Sequence, residues 1–324
     1  MVSAGASLRI VFFGTPEFAV PTLEALHRSR HSVMGVVTQP DRAKGRGQHS
    51  HASPVKQFAQ QHGLAIVQPE RLRDESFLEC LRGLNPDLGV VAAYGRILTD
   101  AVLSIPAHGL INVHASLLPK YRGAAPIHRA IMAGETETGV TIMRVVKALD
   151  AGPMLSRAAR RISETETSVD VERDIARTGA NLLVEAADAI ADGRASETPQ
   201  IEAEATYAHK IEKADGIIDW SRRAVEIHNQ IRGLHPWPHA FSELEGERTI
   251  LLRSEVDAGS PGTSAPAGTI IEAHLDQLRV QTGDGVIRVL VLQREGRRPV
   301  TAREFLAGTR IQPGARFSGS RDAP

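Results

Sequence analysis

The first two-thirds of the chain alternates short β-branched runs with amphipathic stretches, and this alternation is the hardest constraint on its fold. Leu8 to Phe13, Val33 to Thr38, Leu88 to Ala93, Leu110 to His114 and Val140 to Val146 have strand character. Between them, 16–30, 53–62, 74–84 and 124–133 carry apolar residues at helical spacing. Strands separated by helices pair in parallel through crossovers, so the pattern predicts an α/β, Rossmann-like, mostly parallel sheet covered by helices. Thr15-Pro16-Glu17 reads as an N-cap, an N1 proline and an early acid, a helix start that could receive an anion. It is not a dinucleotide fingerprint: Phe13 to Phe18 holds one glycine where three are needed, which disfavours NAD.

At 324 residues, two domains of ordinary size are expected. The apolar spacing from Val169 to Ile190 predicts a long amphipathic helix, ended by Asp192-Gly193, that closes the first domain. Ala195 to Tyr207 lacks periodicity and reads as a surface linker. The second unit has a helical stretch, Val225 to Ile231, and β runs at 249–252, 268–272, 278–282 and 286–293 separated by glycine-rich turns. These predict a small β-barrel. The expected division is a domain over 1–195, a linker over 196–212 and a second domain over 213–320.

Lys plus Arg equals Asp plus Glu at 38 each, so global charge points to neither nucleic acid nor membrane. A single cysteine, Cys80, excludes an internal disulfide framework and a cysteine-based zinc site, and no other metal site is expected. It fits a reducing cytoplasm, in the role of a bland buried thiol. No segment approaches the roughly 18 apolar residues of a membrane span. A soluble, cytoplasmic protein is expected, with monomer the default.

Candidate chemistry gathers at 112–126. Asn112 and His114 are two residues apart on a short strand, so both side chains share one face where a Ser-Leu-Leu-Pro loop begins. In open α/β sheets, ligands bind at such strand ends. Alone, a histidine beside an apolar strand is more often a hydrogen-bonded structural residue than a catalyst. Leu149-Asp150-Ala-Gly-Pro153 changes that balance by placing a carboxylate on a turn just beyond the 140–146 strand. An amide donor, an imidazole and a carboxylate together suit acyl transfer: one holds a developing oxyanion, and the others manage a proton.

Two basic segments stand apart from this cluster. Asp41 to His51 carries Arg42, Lys44 and Arg46. It is either a solvated loop or a site, because glycines on both sides of Arg46 allow backbone to approach a phosphate chain. Eight arginines between 288 and 321, against Glu295 and Glu304, leave a local excess of +6. His235 to Ala240 reads as a rigid turn with a packed indole.

Asn112-x-His114, Ser116-Leu-Leu-Pro-x-Tyr121-Arg122-Gly123 and Leu149-Asp150-x-Gly152-Pro153 resemble the 10-formyltetrahydrofolate-dependent formyltransferase superfamily. So do Phe13-Gly14-Thr15-Pro16, Thr38-Gln39-Pro40-Asp41-Arg42, Gly45-Arg46-Gly47 and His235-Pro236-Trp237-Pro238, so the resemblance runs nearly end to end. Within that superfamily it is to the branch whose acceptor is charged initiator methionyl-tRNA. The resemblance implies 10-formyltetrahydrofolate as co-substrate without a metal, Asn112, His114 and Asp150 as catalytic residues, and Ser116, Leu117, Leu118 and Pro119 as the folate-contacting loop. It also implies an insertion loop entering the tRNA acceptor stem through Arg46, with Arg42 and Lys44 adding electrostatic attraction. The second domain is implied to be an oligonucleotide-binding-like barrel that grips tRNA.

A formyltransferase acting on an amino sugar nucleotide would share the central motif but not the Arg46 loop or the arginine-rich C-terminal region. A glycinamide ribonucleotide formyltransferase needs only the first domain. A formyl-folate hydrolase would put water in place of the amine. A tRNA-binding protein with a dead catalytic domain is disfavoured by the intact Asn112, His114 and Asp150.

Overall fold

The structure, a computed structural model, describes residues 6–44, 49–257 and 264–318. The chain divides into two compact units, each discontinuous in sequence. The first is built from the residues up to Pro126, Thr138–Arg160 and Glu172–Ala208. The second is built from Ile127–Glu137, Arg161–Val171 and the chain from His209 onward.

The first unit holds a seven-stranded sheet in the order Met154–Arg161, Glu137–Arg144, Leu110–His114, Leu88–Ala92, Arg9–Gly14, Ser32–Val37, Ile66–Val67. The pairs from Leu110–His114 through Ile66–Val67 are parallel. Glu137–Arg144 runs antiparallel to Leu110–His114, with Asn112 opposite Met143 and His114 opposite Thr141. The sheet is therefore mixed, parallel over most of its width.

The central strand, Arg-Ile-Val-Phe-Phe-Gly, is apolar without alternation because helices cover both its faces. Ile10, Val11, Phe12 and Phe13 are all fully buried, and each such side chain contributes about 1.5–3 kcal/mol. The chain builds the sheet first to one side of this strand and then to the other. The carboxyl ends of Arg9–Gly14 and Leu88–Ala92 therefore lie at the reversal of strand order, where open α/β sheets bind ligands.

The predicted helices form at Val20–Arg28, Pro54–Gln61, Glu75–Gly83, Pro126–Met132 and Ser168–Ala191. Pro54–Gln61 starts as its sequence predicts, with Ser53 accepting the Lys56 N–H and a proline at the first position. The start expected at Thr15 differs. A 3-10 turn, Glu17–Ala19, precedes the α-helix at Val20, and no side chain caps either. Thr15 Oγ1 instead donates to the Tyr94 carbonyl at 3.2 Å, a tertiary acceptor at the end of the neighbouring strand. Cys80 is exposed, not buried. Phe77, Leu78 and Leu81 take the core face of its helix, which turns position 80 to solvent.

Arg9 and Asp87 tie the starts of two neighbouring strands. Asp87 Oδ2 accepts the Arg9 backbone N–H at 2.7 Å and Nε at 3.1 Å, while Oδ1 accepts Nη2 at 2.7 Å. Hydrogen bonding to the Arg9 side chain, helped by its backbone N–H and charge, lowers the Asp87 pKa to about 2. A carboxyl depressed from its usual value near 3.9 adds stability that is complete above that value and is lost as pH falls through the folded one. Asp87→Asn should lower Tm by roughly 1–3 °C at pH 7. The gap to wild type should narrow as thermal melts are taken from pH 5 down to pH 2. A gap independent of pH would count against the pairing.

The second unit contains the helix Ala224–Gly233 and an antiparallel sheet in the order Ile270–His274, Gln277–Gln281, Val286–Arg294, Glu247–Val256, Ala240–Leu244, Phe317–Ser318, with Val300–Thr301 pairing beside Val286–Arg294. The sheet curls until Thr269 bridges Arg316, so its first and last strands meet in a small barrel. Ile218, Leu251, Val280, Ile287, Val289 and Leu292 fill the inside. The indole of Trp220 stacks on Phe317 at 5.1 Å and donates to Ser242 Oγ at 2.9 Å.

Each β run read from the sequence lies within one of these strands or overlaps one. Ala240–Leu244 and Phe317–Ser318 were not foreseen. The packed indole expected in His235 to Ala240 is also corrected: Trp237 is 50% exposed, because fully buried Leu234 and Ala240 already occupy the core at that turn. No helix among the described residues is long and apolar enough to cross a membrane.

Candidate active site

Asn112 and His114 lie on the Leu110–His114 strand, flanked by Leu88–Ala92 and Glu137–Arg144. The alternation of the strand puts both on one face. The His114 ring is 5% exposed. Its Nε2 stands 3.0 Å from the Tyr121 carbonyl, which can only accept, so Nε2 carries a proton. Nδ1 faces Asp150 Oδ2 at 3.6 Å. In neutral His114, Nδ1 is therefore a lone pair held beside a carboxylate. A proton delivered to it would lie beside the Asp150 carboxylate. Half-buried Asn112 has no hydrogen-bond partner for its amide among the described residues, which leaves two N–H donors for a ligand.

Asp150 is placed by backbone. Its φ is +46°, in the left-handed region that residues other than glycine seldom occupy. The Gly123 N–H donates to Asp150 Oδ2 at 2.9 Å. Gly123 has φ +116°, and a Cβ there would lie 2.8 Å from the Ala208 carbonyl oxygen. At Gly152 a Cβ would lie 1.9 Å from the Arg144 carbonyl oxygen. Both approaches exclude side chains: one seats Gly123 on the Ala208 backbone, and the other seats the Asp150 turn on the Arg144 backbone.

The Ser116–Pro119 loop lies deeper than a contacting loop would suggest. Ser116 and Leu118 are fully buried, Pro119 is buried and Leu117 is half-buried. Thr141 pins it from the adjacent strand: its Oγ1 donates to the Ser116 carbonyl at 2.7 Å and accepts the Leu118 N–H at 3.2 Å. Exposed apolar residues are found beside the site's own segments. Leu149 is 57% exposed next to Asp150, Val146 40%, and Ile97, beyond the Leu88–Ala92 strand, 85%.

Asn112, His114 and Asp150 are thus the sequence-predicted residues that sit on facing segments of one unit. The basic segment is only partly described. Arg42–Lys44 pairs antiparallel with His49–His51, two short strands where a loop was expected. Arg46 lies outside the described residues.

The arginine excess of the second unit is corrected by its acids. Over residues 209–318, 15 Lys and Arg face 14 Asp and Glu. Pairing of neighbouring strands brings Arg288 to Asp276 at 2.9 Å and Arg294 to Glu247 at 3.3 Å. A window along the chain cannot register charges that arrive from neighbouring strands.

Residue types alone did not single out Gln200, Thr141 or Thr206. Gln200 Nε2 donates to the Asp150 and Gly152 carbonyls, and Thr206 Oγ1 accepts the Tyr121 N–H at 2.8 Å. Gln200 and Thr206 fall in the stretch read as a linker, where nothing in the composition marks them. Among the described residues no His, Cys, Asp and Glu cluster is suited to a metal.

Similarity to known proteins extends over nearly the whole chain. Residues 8–187 match the model for the formyl transferase family, and 210–310 match that for the formyl transferase C-terminal domain. The chain is 46% identical to the methionyl-tRNA formyltransferase of Citrifermentans bemidjiense, with 98% of each chain covered. It is also 46% identical to that of Methylococcus capsulatus, with 92% of this chain and 96% of the relative covered. A solved sugar 3N-formyl transferase, crystallised in the presence of dTDP and 5-N-formyl-THF, superposes with a TM-score of 0.67 at 19% identity, covering 91% of this chain and all of the other, a likeness of fold alone.

Proposed function

Because the chain belongs to the formyl transferase family through both of its domains, we propose that it transfers the formyl group of 10-formyltetrahydrofolate to the α-amino group of charged initiator methionyl-tRNA. The observation that carries this reading is the full-length likeness to methionyl-tRNA formyltransferases, with Asn112, His114 and Asp150 arranged as the reaction requires. Attack of the amine on the formyl carbon forms a C–N bond and a tetrahedral alkoxide. Breaking the bond to the donor nitrogen releases tetrahydrofolate, while the amine loses a proton and the donor nitrogen gains one.

Asn112 supplies the N–H that meets the alkoxide. His114 Nδ1 and Asp150 form the pair on which the amine proton is held, since Nε2 already spends its hydrogen on Tyr121. An α-amine with a pKa of roughly 7.7–8.0 is partly neutral at physiological pH, so removing the proton after attack matters more than activating the amine before it. Exposed Ile97, Val146 and Leu149 offer apolar surface that a flat heteroaromatic donor would cover. The buried Ser116–Pro119 loop shapes the donor site from beneath.

Arg46 is assigned to the acceptor end of the tRNA, with Arg42 and Lys44 adding attraction. The near balance of charge over 209–318 leaves the basic segment 41–51 as the main electrostatic handle on tRNA. We propose a catalytic domain over 1–195 and a second domain over 213–320, the intervening 196–212 being held in the first unit as far as Ala208, with cytoplasmic location and a monomer.

The test is incubation with 10-formyltetrahydrofolate and charged initiator or elongator methionyl-tRNA, reading N-formylmethionine on each. Formylation of the initiator is expected. Arg46→Ala should raise KM for charged tRNA and reduce the salt slope of binding by about one. Formylation of an amino sugar nucleotide but of neither tRNA would overturn the reading.

A further inference from the structure

The stretch after the long helix, 198–208, is bound into the catalytic unit at both of the places that hold His114 and Asp150. Thr198 and Met154 exchange backbone hydrogen bonds at 2.8 Å, just beyond the Asp150 turn. Tyr207–Ala208 pairs in parallel with Arg122–Gly123. Between these anchors, Gln200 Nε2 donates to the Asp150 carbonyl at 2.8 Å and the Gly152 carbonyl at 2.7 Å. Its Oε1 accepts from Arg122 Nε at 3.0 Å, and Arg122 Nη1 continues to Glu202 Oε1 at 3.0 Å. The Arg122 side chain is 2% exposed.

The amide of Gln200 therefore has one orientation. Its nitrogen meets two groups that only accept, and its oxygen meets a guanidinium that only donates. The turn it grips is the one whose left-handed Asp150 backbone aims the carboxylate at His114 Nδ1. We propose that Gln200, locked by Arg122, is a positioning residue for Asp150, acting on formyl transfer through that carboxylate alone. This rests on the formyl-transfer reading above.

Gln200→Glu keeps the shape and the pairing with Arg122 but turns an acceptor oxygen toward the two carbonyls, so the turn must shift. A shift of about 1 Å at a reacting group can cost about 10² in rate. The measurement is a double-mutant cycle on single-turnover formylation of charged initiator tRNA. Gln200→Glu should lower kcat by about 10- to 100-fold with KM for both substrates within about twofold. In the Asp150→Asn background the same change should cost less than about twofold. Equal losses in both backgrounds, a loss confined to KM, or unchanged kcat would overturn the proposal.

Circular dichroism and thermal melts establish folding first. If Gln200→Glu does not fold, Arg122→Lys, which keeps the charge but loses the Nε donor, runs the same cycle with the same criteria. A wild type that formylates no charged tRNA overturns the underlying reading, whereas an active wild type with an additive cycle overturns this inference alone.

Discussion

Asp150→Asn is expected to lower kcat by about 10²–10⁴, the range spanned by loss of a positioned acid or base, and to leave a folded protein. The Gly123 N–H that now meets Asp150 Oδ2 at 2.9 Å can donate equally to an amide oxygen, and the Asp150 and Gly152 carbonyls keep their bonds to Gln200. What disappears is the negative charge 3.6 Å from His114 Nδ1. An imidazolium formed there would then have no counter-charge, and the amine proton no stable place to rest. Single-turnover formylation at saturating substrates separates this loss from any change in binding. Turnover within about threefold of wild type would remove Asp150 from the reaction.

Asn112→Ala is expected to cost about 10²–10³ in kcat, the loss seen when one oxyanion donor is deleted, with little change in Tm. No partner of the Asn112 amide exists among the described residues, so truncation leaves no buried group orphaned and the neighbouring strands keep their register. The companion variant Asn112→Asp has the same shape but sets an anion against the developing alkoxide, and it should be slower still. If the alanine variant folds and turns over as wild type does, the oxyanion role is wrong. If both variants change KM alone, Asn112 binds substrate without favouring the transition state.

Much of this site was legible in the chain because its information is local. The period-two spacing of Asn112 and His114 fixes a shared face wherever the strand lies. Gly152 and Pro153 announce the turn that carries Asp150. Helix 54–61 reads correctly for a similar reason, since Ser53 and Pro54 act within a single turn of chain. The failures share the opposite property. Thr15 gives up its capping role to a carbonyl 79 positions away. The barrel arginines meet acids on other strands. Trp237 and Cys80 are turned outward because other residues fill the core nearest to them. Each depends on what arrives from a distant part of the chain.

The amino-acid sequence by itself determined the α/β alternation, the barrel runs of the second unit, and the amide, imidazole and carboxylate proposed to carry formyl transfer. Spacing and side-chain chemistry are properties of short segments and need no fold to be read. Only the tertiary structure decided that Glu137–Arg144 runs antiparallel beside Leu110–His114, that His114 is committed to Tyr121 through Nε2, and that 198–208 is a brace for Asp150 and not a loose connector. A hydrogen bond between residues 50 positions apart leaves no periodicity in the chain. It exists because packing brings two carbonyls to one half-buried amide, and an amide with both ends satisfied in one orientation holds that geometry.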